Sequence, residues 1–193
     1  AMGANAVNSM AEALAPKLEE WTEAKANMRI LSNLADKRIV MSRATWTVEE
    51  LGGEEVRDAM MSAFRFADCD SYRAATHNKG IMNGVDAVVL ATGNDFRAVE
   101  AGIHAYAART GKYSSLSHAK IEDGIFTFWL EIPLALGTVG GLTSLHPLVK
   151  LSLEMLEKPS AKELMQYVAV AGLAQNFAAL RSLTTTGIQE GHM

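Results

Sequence analysis

The sequence predicts an α+β fold in which helices dominate over a few strands. Several long segments carry apolar residues at helical spacing, whereas a few shorter segments are rich in β-branched or alternating apolar residues. The strand candidates do not alternate regularly with the helices, which distinguishes this class from a parallel α/β fold. Because 49% of the 193 residues are hydrophobic, the chain can form a sizeable core. We expect one domain, or one domain with part of another.

The first third of the chain predicts two helices followed by two strands. Pro16 separates the helical patterns at 3–14 and 17–26, either as a kink or as the first turn of the second helix. Residues 28–31 form a short strand candidate, and the β-branched run at 37–48 predicts another strand. The helical pattern at 48–67 is broken once by Gly52 and Gly53.

The remaining chain predicts helices around one β-hairpin. Helices are expected at 71–76, 81–90 and 96–109, and Asn94 or Asp95 caps the last of them. Two β-rich runs, 117–122 and 124–132, flank a Glu-Asp-Gly turn that is typical of a hairpin. A short helix at 147–156 follows. Ser160 and Glu163 then form a capping-box pattern at the start of a long helix that extends to about residue 183.

Two polar clusters are predicted to lie in breaks between helices, where a scaffold presents functional side chains. They are Thr-His-Asn-Lys-Gly at 76–80 and Thr-Gly-Asn-Asp at 92–95. If the fold brings Lys79 and Asp95 together, the lysine is a fixed positive charge that can stabilise an oxyanion. The alternative is two unrelated loop charges, because ion pairs are usually structural.

Further polar residues are candidates for binding or proton transfer. His192 can protonate a leaving thiolate, or it is a surface histidine near a chain end. Arg73, Asn83 and the Gln175-Asn176 pair can bind a substrate carboxylate or hydroxyl, or the amides can tie two helices together. The glycine at the start of the first helix would let backbone approach a pyrophosphate, but by itself it more often marks a close contact between helices. The Gly-rich stretch 137–141 lacks the ending of a P-loop.

Composition excludes several classes of function. A net charge of −4 and a pI near 5.7 give no basic surface for nucleic acid. One cysteine, Cys69, permits neither an internal disulfide nor a multi-cysteine metal site, and the histidines lack metal-ligand spacing. No apolar run approaches the ~20 residues of a membrane-spanning helix. We therefore expect a cytoplasmic protein that binds no metal.

Six motifs occur in a fixed order, and together they identify a protein family far more specifically than any one motif does. They are MGAN at the start, ATHNKGIMNG at 75–84, ATGND at 91–95, GTVGG at 137–141, LAQN at 173–176 and GIQEGHM at the end. Together they resemble the class II (bacterial-type) hydroxymethylglutaryl-CoA (HMG-CoA) reductases over essentially the whole chain. The resemblance implies reduction of HMG-CoA to mevalonate and CoA with NADH or NADPH, or the reverse, in isoprenoid biosynthesis. It also implies a homodimer or higher oligomer with active sites at the subunit interface.

The resemblance assigns roles residue by residue. Lys79 matches the lysine that stabilises the oxyanions, Asp95 the aspartate that sets the charge state of its neighbours, and His192 the histidine that protonates the CoA thiolate. The binding positions that it implies are Arg73, Asn83 and Asn176 for the hydroxymethylglutaryl part, and Met2, Gly3 and Asn5 for the cofactor.

Departures from the family pattern limit what this chain is expected to do alone. The family's catalytic glutamate lies in a Glu-Asn-Val motif, which this sequence lacks, and the aspartate that precedes the MGAN helix is missing. We expect part of a small ferredoxin-like cofactor domain at 1–33 and a large substrate domain at 34–193, without the C-terminal flap. Such a chain should not turn over normally by itself. A non-catalytic acyl-CoA-binding module, a degenerate paralogue and a helical structural or dimerisation protein remain alternatives.

Overall fold

A computed structural model describes the backbone of residues 2–187 and the side chains of residues 4–187. It contains eight helices and three strands within that range, which confirms the α+β class. In chain order they are α1 (Met2–Thr22), β1 (Ile39–Thr47), α2 (Val48–Leu51), α3 (Glu54–Cys69), α4 (Ser71–Ala91), α5 (Phe96–Ala107), β2 (Ser117–Glu122), β3 (Ile125–Pro133), α6 (Leu142–Leu145), α7 (Pro147–Met155) and α8 (Ala161–Thr184).

The three strands form one antiparallel sheet in the order β1-β3-β2. Alternate side chains of the central strand β3 lie on one face, and Phe126, Phe128, Leu130 and Ile132 are all fully buried there. Phe64 of α3 and Phe177 of α8 lie against Phe128, with ring centroids 5.2 and 6.1 Å away. Helices therefore cover this face of the sheet, and the hairpin predicted around the Glu-Asp-Gly turn is confirmed.

Helix α4 includes the polar segment 76–80, which we expected to form a break between two helices. The predicted short helix at 71–76, the polar cluster at 76–80 and the helix at 81–90 are one continuous helix, so the prediction of a loop there is wrong. Buried contacts stabilise this helix where local propensity is weak. Asn78 is fully buried, and its amide donates to Ser114 O (2.9 Å) and accepts from Leu116 N (3.0 Å), which fixes α4 against the start of β2.

Close packing of α4 on α8 depends on two glycines. A Cβ atom at Gly84 would lie 2.5 Å from the carbonyl oxygen of Ala171, and one at Gly172 would lie 2.8 Å from a methyl group of Val85. Since neither glycine carries a side chain, the two helices approach more closely than larger residues would allow. Gly80 differs, because a Cβ there meets no atom within 4 Å.

Other predictions near the start of the chain are corrected by the structure. The patterns at 3–14 and 17–26 belong to one helix that contains Pro16 and ends at Thr22, so the alternative of a second helix that starts at Pro16 is wrong. The strand predicted at 28–31 is absent, and this segment instead lies along α1, where Leu31 N donates to Asn8 Oδ1 (2.9 Å). The missing strand has a tertiary cause, because the segment's backbone bonds to a side chain of α1 rather than to a neighbouring strand. The caps predicted at Asp95 and Ser160 are confirmed.

Candidate functional site

Lys79 and Asn83 lie one turn apart on α4, on the same strip of the helix surface, and both are exposed. Arg73 is half-buried and lies two turns earlier on a different strip, which it shares with His77. Its backbone N–H donates to Asp70 Oδ1 (2.8 Å), the N-cap of the helix. A rigid helix rather than a loop therefore presents the predicted lysine and the predicted substrate residues Arg73 and Asn83.

Asp95 occupies the N-cap of α5. Its carboxylate accepts from the backbone N–H of Arg97 (3.1 Å) and Ala98 (3.3 Å), and the Arg97 guanidinium lies 3.4 Å away. Partial burial raises the pKa of this carboxyl, but the hydrogen bonds from Ala98 and Arg97 outweigh burial and hold the pKa below its ordinary value. Asp95 is therefore ionised at neutral pH and is suited to be a charge partner rather than an acid.

Asn94 fixes the turn that carries Asp95. This buried side chain accepts from Gly137 N (2.9 Å) and donates to Gly137 O (3.1 Å), so that it joins the 92–95 turn to the Gly-rich stretch 137–141. Gly93 lies at φ +69°, which side chains rarely adopt, and a Cβ there would lie 3.0 Å from the methyl groups of Val149. From sequence, Asn94 was only an alternative cap for α5. An asparagine beside a glycine in a polar turn is the one local sequence signal for this role.

Asn176 belongs to a buried chain of hydrogen bonds between α8, β2 and α4. Ser117 Oγ donates to Asn176 Oδ1 (2.7 Å), so the short contact from His77 Nε2 to Ser117 Oγ (2.6 Å) requires that His77 carry its proton on Nε2. Burial, followed by the positive charges of Arg73 and His118, lowers the pKa of His77 to about 4. His77 is thus neutral, and its Nδ1 is a buried acceptor without a partner in the described part of the chain.

A cavity of about 610 Å³ lies between α1, the segment after it and the start of α5. Its size is within the range of small-molecule sites. The polar residues that line it are Asn5, Asn8, Ser32, Asn33, Arg38 and Asp95. Asn5, which was predicted to bind the cofactor, and Asp95 therefore share one cavity. Sequence reasoning missed Asn8, although it lies one helical turn after Asn5 on the same face of α1.

The structure brings some predicted residues together and leaves others apart. Within residues 2–187 the Lys79 ammonium forms no hydrogen bond or salt bridge, and the charged partner of Asp95 is Arg97 instead. Asn176 is buried and accepts a hydrogen bond from Ser117, whereas Lys79 is exposed. The side chains of Met2 and Gly3, and all of His192, lie outside the described residues. The role of each predicted site residue stays a prediction.

No group of three or more His, Cys, Asp or Glu residues between 2 and 187 is placed to hold a metal ion. No helix in that range is long and apolar enough to cross a membrane. A smaller cavity, of about 290 Å³, lies beside the Gly-rich stretch, where Thr138, Lys150 and Lys158 contribute to its lining.

Comparisons with known proteins find similarity over the whole chain. The family profile described as hydroxymethylglutaryl-coenzyme A reductase matches residues 1–193. The 3-hydroxy-3-methylglutaryl-coenzyme A reductase of Archaeoglobus fulgidus is 52% identical over 194 residues, which cover 100% of this chain and 44% of that protein. A probable reductase of the same name from Borreliella burgdorferi is 38% identical over 200 residues, which cover 100% of this chain and 46% of its own length.

Solved structures agree with these relatives. A 3-hydroxy-3-methylglutaryl-coenzyme A reductase from Streptococcus pneumoniae superposes with a TM-score of 0.94 at 46% identity. The match covers 100% of this chain and 47% of the chain of that reductase. A class II reductase from the same organism, bound to NADPH in open conformations, gives a TM-score of 0.93 at 46% identity, with 100% and 48% covered. The chain thus spans about half the length of the proteins that it matches.

Proposed function

Because this chain belongs to the hydroxymethylglutaryl-coenzyme A reductase family, we propose that it is the catalytic core of a class II enzyme of that family. The proposed reaction is the reduction of HMG-CoA to mevalonate and CoA, or its reverse. The observation that carries the proposal is the match of the family profile to all 193 residues. The shared cavity of Asn5 and Asp95 supports it, because two motifs that are far apart in sequence line one space of suitable size.

The chain's own residues suit the charges that thioester reduction creates. Addition of hydride to a thioester carbonyl leaves a negative oxygen, which a fixed cation stabilises. The Lys79 ammonium is exposed and unpaired in the described residues, so it is free to meet such an oxygen. Ionised Asp95 would hold that lysine charged once the two are close. His192 is proposed to protonate the thiolate that leaves.

The hydride in this proposal comes from a nicotinamide cofactor, NADH or NADPH. The amide of Asn5 offers a hydrogen-bond donor and an acceptor to the cavity, as the hydroxyl and phosphate groups of a dinucleotide require. Asn8 accepts a hydrogen bond from Leu31 N (2.9 Å) and so holds the segment after α1, which also lines the cavity, in place. The residues fit such a ligand, and Met2 and Gly3 are proposed to complete the site.

The division into domains and the assembly are also proposed. We place the boundary after residue 33, because residues 31–33 contact α1 and α5, whereas the sheet begins at Ile39. A homodimer, or a higher oligomer, is supported by a stripe of exposed apolar side chains on α1. Its members are Val7, Met10, Leu14, Leu18 and Trp21, each at least 48% exposed. Sedimentation of the natural full-length protein tests this proposal.

The deciding experiment is an assay of HMG-CoA-dependent oxidation of NADH and NADPH. It compares the natural full-length polypeptide, the 193-residue chain and the full-length Lys79→Ala variant. Lys162→Ala is the matched control, because Lys162 is also an exposed helical lysine but lies in the first turn of α8. We expect activity in the full-length protein and in the control, and a fall of at least about a hundredfold in Lys79→Ala.

Two other results would contradict the proposal. Full activity in Lys79→Ala would exclude the lysine from the chemistry. If no form oxidised either cofactor but the full-length protein still bound CoA esters, a non-catalytic acyl-CoA-binding module would replace the reductase.

A further inference from the structure

Two carboxylic acids meet between α4 and α5. The Asp86 side chain lies within hydrogen-bonding distance of Glu100. One oxygen of Asp86, Oδ1, is buried and has no hydrogen-bond partner among the described residues. Two carboxylates only accept hydrogen bonds, so this contact becomes a bond only when one of them is protonated.

The pair continues into a chain of titratable groups. Glu100 Oε2 lies 2.6 Å from His104 Nε2, one turn later on α5. His104 Nδ1 lies 2.8 Å from the Tyr113 hydroxyl. Four ionisable side chains therefore form a chain in which each contacts the next: Asp86, Glu100, His104 and Tyr113. Of these four, only Asp86 lies on α4.

The pair is placed where it sets the spacing of two helices that carry predicted site residues. Asp86 follows Lys79 by seven residues and Asn83 by three, so all three lie on one strip of α4. On the other helix, Glu100 follows the N-cap Asp95 by five residues. The short turn at 92–95 joins the two helices, and the pair lies about one and a half turns from it on each side.

We propose that Asp86 and Glu100 share one proton, and that this protonated pair holds α4 against α5 and so fixes the position of Lys79 relative to Asp95. Asp86 is a positioning residue in this proposal. The importance of the two positioned residues rests on the proposed reductase function, whereas the shared proton does not.

The electrostatic surroundings agree with a proton held near neutral pH. Burial, followed by the hydrogen bond to Glu100 and its negative charge, raises the pKa of Asp86 from 3.8 to about 7. Behind Glu100 lie His104 and Tyr113. The other helices packed on α4, which are α3, α7 and α8, place no described charge that acts on the Asp86 carboxyl.

The sign of the pH dependence follows from this raised pKa. Between about pH 4 and pH 7 the folded protein holds a proton that the unfolded chain has released, so this pair makes stability fall as pH rises through that window. Above about pH 7 the Asp86 carboxyl is ionised, and its repulsion from Glu100 separates the helices. Lys79 lies about 10 Å along α4 from Asp86. A displacement of about 0.5 Å there corresponds to roughly a tenfold loss of rate, since 1 Å costs about a hundredfold.

The test uses Asp86→Asn in the natural full-length polypeptide. Asparagine has the shape of the protonated acid and donates to Glu100 at every pH. Infrared difference spectra should show a protonated carboxyl in the parent that titrates near pH 7 and is absent in Asp86→Asn. The unfolding midpoint of the parent should fall relative to Asp86→Asn between pH 5 and pH 8. Asp123→Asn, in an exposed turn where asparagine suits the positive φ, is the matched control.

Activity measures the positioning role separately. We expect the ratio of kcat in Asp86→Asn to kcat in the parent to rise about tenfold from pH 6 to pH 8.5, with little change in KM. A purely structural role would change the midpoint of unfolding without this change in the kcat profile. Absence of the protonated carboxyl in the parent, or parallel pH profiles in both proteins, would overturn the proposal. No reductase activity in any form, with the carboxyl band present, would overturn the proposed function and the positioning role, and leave only the shared proton.

Discussion

Replacing Gly84 with alanine tests whether close approach of α4 and α8 decides the stability of this fold. The added Cβ would lie 2.5 Å from Ala171 O and 2.9 Å from Ala171 C, and both are backbone atoms that no side-chain rotation can move. Overpacking of this kind costs about 3 kcal/mol, at the upper end of its usual range. The gain in helix propensity returns about 1 kcal/mol. We therefore expect Gly84→Ala to lower the free energy of unfolding by about 2 kcal/mol.

Gly80→Ala is the matched control, one turn earlier on the same helix. Its Cβ would meet no atom within 4 Å, so only the gain in propensity, about 1 kcal/mol, should appear. The two variants should thus differ by about 3 kcal/mol in free energy of unfolding. Urea unfolding of the full-length protein, followed by circular dichroism at one protein concentration, measures that difference. Equal stability of the two variants, or a more stable Gly84→Ala, would refute the packing argument.

Two further predictions concern buried polar groups. Asn94→Ala should lower the free energy of unfolding, measured in urea, by about 3 kcal/mol, because it leaves both backbone groups of buried Gly137 without partners. The control Asn83→Ala, at an exposed position, should change it by less than about 0.5 kcal/mol, and an equally small loss in Asn94→Ala would contradict the role of these hydrogen bonds. Because burial lowers the pKa of His77 from 6.5 to about 4, the unfolded chain takes up a proton that the folded protein does not, and stability should fall by about 3 kcal/mol as pH falls from 6.5 to 4. Unfolding midpoints measured over this pH range should fall less steeply in His77→Gln. Identical slopes in the two proteins would contradict the buried neutral histidine.

Most elements could be predicted from local sequence because their ends carry strong local signals. The capping box of Ser160 and Glu163 starts α8 as expected, and the Glu-Asp-Gly turn joins β2 to β3. Hydrogen bonds of a cap or a tight turn form between residues that are close in sequence, so these features do not depend on the rest of the fold.

The wrong predictions occurred where distant contacts outweigh local propensity. The cluster around Lys79 contains polar residues and Gly80, which disfavour a helix locally. Buried Asn78 finds its partners in Ser114 and Leu116, more than thirty residues away, and these bonds hold the chain helical. The missing strand at 28–31 has a similar cause, because its backbone bonds to Asn8 of α1.

The sequence by itself determined the family resemblance, the α+β class and the identity of the candidate site residues, because these depend on residue types and their order. Tertiary structure alone decided that Asn5 and Asp95 line one cavity, that Asn94 joins its turn to Gly137, and that Asp86 meets Glu100. Each of these contacts joins residues that are between 14 and 90 positions apart. Hydrogen bonding and pKa depend on distance and burial in space, which local sequence patterns do not contain.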